Sequence, residues 1–437
     1  MAPWYTGSMP ENARTLPRAL QGNGYVTGHS GKWHMAIDHM AFPQPEDQGF
    51  DWTQSSRGAR SRMNSRVRGF ASNATQDPFR LDENGFPFHQ TSEDALTFLR
   101  ENHHRPFFLY YATWLVHTPI HTRSERLLEK YCKKLGVEKP KEDRGWTIEG
   151  QRNPFYCAMV EELDYHMGKV FTYLNNTDDP RWPGHKLSEN TYVLFTSDNG
   201  GMEGHPGEVI TDNYPLDKGK ISAMEGGIRV PLIITGPGIR AGVESDVMVN
   251  GLDFYPTILT LTKTPKPKDK NLDGCDLSDL LRDDPSNSRL VRDKQGKPRN
   301  SMIWHFPHSV ALESSIRVEG FKLIRNYDHK YNSNTPELEL YQLYRNVNGK
   351  QVRVDLEEAN NLVASKPELA NELNRELTSV LNEMNASYPY YNPRAARIGM
   401  EKNQTPRIIS HERKGKVVRF AYQSRGCLLY TSDAADD

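Results

Sequence analysis

Four short stretches of the sequence carry residues whose types could do chemistry together. The first, TSDNGG at 196–201, follows the apolar run YVLF and brings a carboxylate, Asp198, and an amide oxygen, Asn199, to one point. Both are hard donors of the kind that hold calcium or magnesium. Gly200 and Gly201 let the backbone turn away, and the same residues are also good turn formers with no ligand at all. The second, GHSGKWHMA, sets Lys32 and His34 two residues apart, so on an extended chain both point the same way. A cation beside an imidazole can hold an anionic oxygen and move a proton; the plain alternative is a pair of surface groups with Trp33 buried beneath. The third, WLVHTPIH, puts His117 where an apolar run ends and His121 four residues on. Pro119 forbids a regular helix between them, and a histidine at a strand end can equally be a hydrogen-bonded core residue. The fourth, DKGKISAMEGGIRVPLII, places Lys220 in a glycine-bearing loop ahead of Glu225. A lysine there can clamp an oxyanion, although most loop lysines are simply solvated. Two oxygen ligands, two lysines and two histidines suit an ester of sulfate or phosphate, and no good nucleophile accompanies them.

Three of the four stretches follow strand-like runs, and open α/β sheets gather ligands beyond the carboxyl ends of their strands. The elements expected to position them begin with a short helix over Glu11–Leu20 and a strand opening GYVTGHSGKWHM. Residues 53–90 show no period and read as a long surface loop. Thr91 to Asp94 fits a capping box before ALTFLREN. RPFFLYYATWLV, TYVLF and VPLIITGPG read as buried strands. Residues 154–174 set Phe155, Met159, Leu163, Val170 and Leu174 on one helical stripe, and LDFYPTILTL reads as a helix kinked or started by Pro256. Helices alternating with continuous apolar strands predict an α/β domain over residues 1–285, with a mostly parallel sheet covered on both faces. The polar stretch DDPSNSRLVRDKQGKPRN marks a boundary. Beyond it, SSIRVEGFKLIRNY predicts a hairpin turning at Glu319-Gly320, LELYQL a strand and ELANELNRELTSVLNEM an amphipathic helix. They make a smaller subdomain of antiparallel sheet plus helix over 300–425. Residues 426–437, GCLLYTSDAADD, read as a non-native tail.

Bulk properties narrow the class. With 55 basic against 56 acidic residues, no net field draws the chain to nucleic acid or a membrane surface. The longest apolar stretch, PFFLYYATWLV, is too short to span a bilayer. Four scattered cysteines without a C-x-x-C pair argue against a zinc site and a disulfide framework. The N-terminal residues lack the basic and apolar segments of a signal peptide. One loop, SSRGARSRMNSRVRGF, carries Arg57, Arg60, Arg62, Arg66 and Arg68; it is either a solvated loop or a contact for an anionic chain.

The wording and order of SGKWH, VHTP, TSDNGG and KGKISAMEGGIRVPLI resemble the sulfatase family of the alkaline phosphatase superfamily. IWHFPH, SSIRVEGFKLI and LELYQLYRNVNGKQVRVDLEEANNLV resemble the C-terminal subdomain of bacterial polysaccharide and aryl sulfatases. The resemblance implies an alkaline phosphatase-like fold and hydrolysis of a sulfated carbohydrate or aryl sulfate. It implies that Asp198 and Asn199 are calcium ligands and that Lys32 and Lys220 hold the sulfate oxygens. His117 then faces the leaving-group oxygen as general acid, His34 hydrogen-bonds the nucleophile, His305 and His308 border the substrate pocket, and Glu225 buttresses its loop. Two family features are not in this sequence: the paired aspartates that complete the metal site, and the C-x-P-x-R or S-x-P-x-R motif. The first residue of that motif becomes formylglycine, whose hydrate is the family's nucleophile. SMPEN at Ser8 has the proline without the arginine. The resemblance therefore implies that a first segment, with the export signal of a periplasmic or extracellular protein, lies outside these residues. Without it, a central strand is missing, neighbouring strands keep unpaired edges, calcium is bound poorly and sulfate esters are not turned over. A phosphodiesterase or phosphonate hydrolase of the same superfamily, and a non-catalytic sulfated-glycan-binding protein using the arginine loop, are the rival readings.

Overall fold

Strand β1 (Val26–Lys32) is apolar only at its start, yet six of its seven residues are buried. It is the centre of a parallel sheet ordered β2-β1-β3, with β2 (Trp52–Ser56) and β3 (Phe107–Ala112) on either side. The structure, a computed structural model, describes residues 9–35, 43–56, 69–72, 77, 80–141, 150–203, 210–284, 286–307, 312–330, 334–348, 350–389, 407–414 and 417–423. The arginine-rich loop from Arg57 to Arg68, His308 and the 426–437 tail lie outside them.

Helix α1 (Leu16–Gln21) is shorter than the sequence suggests, because Thr15 caps it and Pro17 sits in its first turn. Helix α2 (Gln90–Asn102) starts one residue before Thr91, so Thr91 does not cap it. The Thr91 hydroxyl instead lies 2.8 Å from His89 Nδ1. Four of the five residues of β2 lie inside the stretch read as loop. Its polar residues show no period, and the ladder from Gly28↔Trp52 to Lys32↔Ser56 makes it a strand.

Helices α3 (Glu125–Leu135) and α4 (Pro154–Asn176) pack through Leu128, Cys132, Phe155 and Met159. Phe98 and Leu99 of α2, Val26 of β1 and Val170 of α4 close a second core against the sheet. Strands β4 (Val193–Thr196) and β5 (Leu232–Thr235) are where the sequence places them, but they pair antiparallel with each other in a separate two-stranded sheet. Helices α5 (Glu225–Ile228), α6 (Phe254–Leu261) and α7 (Ser278–Arg282) follow in order.

The C-terminal part matches its sequence closely. β6 (Ser301–Phe306), β7 (Glu313–Val318), β8 (Phe321–Asn326) and β9 (Leu338–Gln342) form one antiparallel sheet in that order. The β7–β8 turn is Glu319-Gly320, with Glu319 at φ 50. β10 (Tyr344–Val347) and β11 (Lys350–Arg353) make a hairpin, and α8 (Pro367–Glu383) lays Ala370, Leu373, Leu377 and Leu381 on Ile316, Leu323 and Leu340. Strands β12 (Arg407–Lys414) and β13 (Val417–Gln423) form a further antiparallel pair.

Among the described residues, β3 pairs only with β1 and β4 only with β5. The other edges of both strands border one cavity of 3530 Å³, which Leu163, Met167 and Val170 of α4 also line. The helical stripe read from the sequence is thus split: Phe155, Met159 and Leu174 are buried, while Leu163 and Val170 are half-buried.

Candidate active site

Strands of two sheets deliver three of the four stretches to this cavity. β1 ends on Lys32, the chain beyond β3 passes through Trp114 to His117, and the chain beyond β4 passes to Asp198 and Asn199. Lys32, His34, His117, Asp198, Asn199, Lys220 and His305 all line the cavity. Lys32 Nζ stands 3.6 Å from Asp198 Oδ2 and 5.1 Å from the ring centroid of the buried Trp114. Asp198 is largely exposed, so this ion pair is worth little as stability.

Lys220 Nζ lies 3.4 Å from His117 Nε2. His117 Nδ1 is 3.0 Å from the Thr118 carbonyl oxygen. A carbonyl only accepts, so the ring donates from Nδ1 and turns the acceptor Nε2 toward Lys220. His34 stands exposed on the cavity wall. His121 is buried beside Phe155 and does not line the cavity, so of the two histidines in WLVHTPIH it takes the core role.

His305 lines the cavity with both ring nitrogens engaged. Nε2 donates to the Ser387 carbonyl at 2.9 Å, and Nδ1 accepts from Ser314 Oγ at 2.6 Å. Burial lowers its pKa. Glu225 is buried and does buttress its loop: Arg229 Nε donates to it at 2.7 Å and Lys322 Nζ at 3.2 Å, with Arg317 at 3.7 Å. Burial alone would raise its pKa, but Lys322, Arg229 and Arg317 bring it down to about 2.

His29 escaped the sequence reading. It is buried on β1 against Trp33, Phe50 and Tyr110, and its Nε2 donates to the Lys32 carbonyl at 3.1 Å. Burial lowers its pKa to about 4 against that hydrogen bond. A neutral ring therefore fixes the backbone that carries Lys32. The GHSGKWH alternation contained the signal, since His29 and Lys32 share one strand.

The two glycine loops interlock. Lys220 N donates to Gly201 O at 2.8 Å, and Gly200 N donates to Gly227 O at 3.0 Å. A Cβ added at Gly200 would fall 1.7 Å from the Gly226 carbonyl oxygen. Gly200→Ala is therefore expected to part the loops and destabilise the fold by about 1–3 kcal/mol. Thermal unfolding checks this, and an unchanged midpoint would show that the loops separate freely.

Asp198 and Asn199 suit a hard cation in kind. In number they fall short of the six or more oxygens calcium takes. Among the described residues no group of three or more His, Cys, Asp or Glu side chains is placed to hold a metal ion.

The sulfatase family model matches residues 2–264, more than half of the 437-residue chain. The chain belongs to the sulfatase family. The C-terminal model of N-sulphoglucosamine sulphohydrolase matches residues 217–386 of the chain. A sulfatase of Formosa agariphila is 33% identical over 296 residues, covering 64% of this chain and 47% of that protein. The N-acetylgalactosamine-6-sulfatase of Rattus norvegicus is 30% identical over 292 residues, covering 62% and 49%. The chain thus spans about half the length of these curated relatives. A protein solved in complex with its substrate D-glucosamine-2-N,6-O-disulfate shares the fold. Its TM-score is 0.57 at 19% identity, covering 86% of this chain and 83% of that one. No helix among the described residues is long and apolar enough to cross a membrane.

Proposed function

We propose that this sulfatase chain supplies the oxyanion-holding part of an exported hydrolase that removes sulfate from a sulfated carbohydrate or aryl sulfate. The contact of Lys220 Nζ with His117 Nε2 at 3.4 Å, on a cavity that Lys32 also lines, carries the proposal. Lys32 and Lys220 bind oxygens of the anion. His117 faces the leaving oxygen. Its Nδ1 is committed to the Thr118 carbonyl, so a proton gained at Nε2 has the leaving oxygen as its destination. An anion between Lys220 and His117 favours the charged ring, so binding of the ester itself prepares the acid. His34 is assigned the hydrogen bond to the nucleophile, and His305 with His308 the border of the sugar pocket. Asp198 and Asn199 are assigned to calcium, which when bound would polarise the sulfate oxygens. The remaining calcium ligands and the formylglycine are assigned to chain outside these residues. The names of the Rattus norvegicus relative and of the ligand in the neighbouring structure support a sulfated sugar as substrate.

The test is calorimetric titration of the purified 437-residue chain with inorganic sulfate, beside an assay of sulfate release from 4-nitrophenyl sulfate. Lys220→Ala and Lys32→Ala are each expected to weaken sulfate binding about tenfold or more, as loss of a charged hydrogen bond does. No turnover is expected from this chain alone. Absence of sulfate binding, or indifference to both substitutions, would remove the oxyanion site. Measured turnover would show that the nucleophile lies within these residues.

A further inference from the structure

Lys220 lies in a loop whose conformation it does not choose. Lys218 has φ 54 and Ile221 has φ 69. The left-handed region is unfavourable for any residue with a Cβ and most unfavourable for a β-branched one such as isoleucine. A strained pair of this kind persists only where the surroundings over-determine it. Here the surroundings belong to the C-terminal part of the chain. Glu313, at the start of β7, accepts the Ala223 amide on Oε2 at 2.7 Å. Glu358, beyond β11, accepts the Glu225 amide on Oε2 at 2.6 Å. Both glutamates are buried. Ala223 and Met224 are themselves packed into the core with Ile324, Tyr341 and Leu343. On the other side, Lys220 N is tied to Gly201 O and Asn213 Nδ2 donates to Lys218 O at 2.8 Å.

We propose that Glu313 and Glu358 are positioning residues for Lys220: by accepting the Ala223 and Glu225 amides they hold the strained turn that sets the Lys220 amine against His117. The proposal rests on the oxyanion role given to Lys220. A carboxylate is a stronger acceptor for a buried amide than a neutral group, and the site gives each of these amides one. The C-terminal sheet is then part of the oxyanion site, acting through the backbone of the Lys220 loop.

The test compares Glu313→Ala with Glu313→Gln in the full chain. Trypsin cuts after Lys218 and Lys220 only if the turn opens, and mass spectrometry reads these cuts separately from the cut after Arg375 in α8. Glu313→Ala is expected to speed cutting at Lys218 and Lys220 about tenfold and to weaken binding of inorganic sulfate about tenfold. The cut after Arg375 keeps its rate. Glu313→Gln retains an acceptor oxygen and stays within about twofold of the parent on both readouts. If Glu313→Ala changes neither readout, or speeds the Arg375 cut equally, the positioning role is overturned. If the parent chain binds no sulfate, the oxyanion role of Lys220 falls, while the site-specific cutting still decides whether Glu313 holds the turn.

Discussion

Replacing Lys322 by alanine is expected to cost about 3–5 kcal/mol of stability, the range found when one partner of a buried ion pair is removed. Lys322 on β8 is wholly buried, with Nζ 2.7 Å from Glu358 Oε1 and 3.2 Å from Glu225 Oε1. Glu225 would keep Arg229 and Arg317. Among the described residues, Glu358 would keep the Glu225 amide and the more distant charge of Arg317, and would be left as a buried carboxylate with no cation in direct contact. Burial already raises its pKa, and Lys322 is the main influence lowering it. Without Lys322, Glu358 must take up a proton in the folded state, so the cost of the substitution grows as pH rises. Urea unfolding at pH 6 and pH 8 reads both effects, with the midpoint shifted and the slope preserved. The double variant Lys322→Met, Glu358→Gln removes the charge and the cation together and keeps an acceptor for Glu225 N. It is expected to recover most of the loss. A double variant as unstable as Lys322→Ala would mean that the loss does not come from the Glu358 charge, and would leave Glu225, the other carboxylate on Lys322, as its source.

The same pair shows where the sequence stops being legible. A lysine in the apolar strand FKLIR reads as one that faces water, and its partners Glu225 and Glu358 lie far off along the chain. Local periodicity carries no information about a contact of that span. It does carry α4 and α8, whose apolar residues recur at helical spacing over many turns, and the hairpin at Glu319-Gly320, whose turn residues are local. The gathering of candidate residues on one cavity was legible for another reason: Lys32, His117 and Asp198 lie at or beyond the ends of strands β1, β3 and β4, and in α/β folds such ends gather at one edge. The antiparallel pairing of β4 with β5 was not legible, because a four-residue apolar run has the same period in either direction. β2 was invisible because WTQSS becomes a strand only through its ladder with β1. His29 was missed because its work is done toward the backbone of Lys32, inside an aromatic cage, and no spacing rule reports that.

Stability is expected to peak between about pH 6.5 and 7 and to fall on both sides, through opposed sets of buried groups. On the acid side stand His29, lowered to about 4, and the His89–His166 pair, both lowered, all chiefly by burial. Each is held neutral in the fold. Below the ordinary histidine pKa of about 6.5, the unfolded chain takes up a proton that the folded chain refuses, so stability drops as pH falls from about 6.5 toward 4. At 1.36 kcal/mol per unit of pKa, each contributes roughly 1.5 kcal/mol of loss between pH 6.5 and 5. On the alkaline side stands Glu162, fully buried and raised to about 8, chiefly by burial, with the Thr122 hydroxyl donating to it. The folded chain keeps this proton while the unfolded chain has released it above about 4.5. Stability therefore drops as pH climbs, by roughly 2 kcal/mol from pH 6.5 to 8. Over the acid range Glu162 works against the three histidines and offsets about one of them, leaving a net loss of roughly 3 kcal/mol by pH 5. Denaturant unfolding from pH 5 to 8 at fixed ionic strength gives the curve. Glu162→Gln keeps an oxygen for Thr122 and removes the titration, so its alkaline limb flattens while the histidine limb steepens. A parent curve flat from pH 5 to 8 would mean that these groups are hydrated in the fold. An unchanged alkaline limb in Glu162→Gln would show that Glu162 does not carry it.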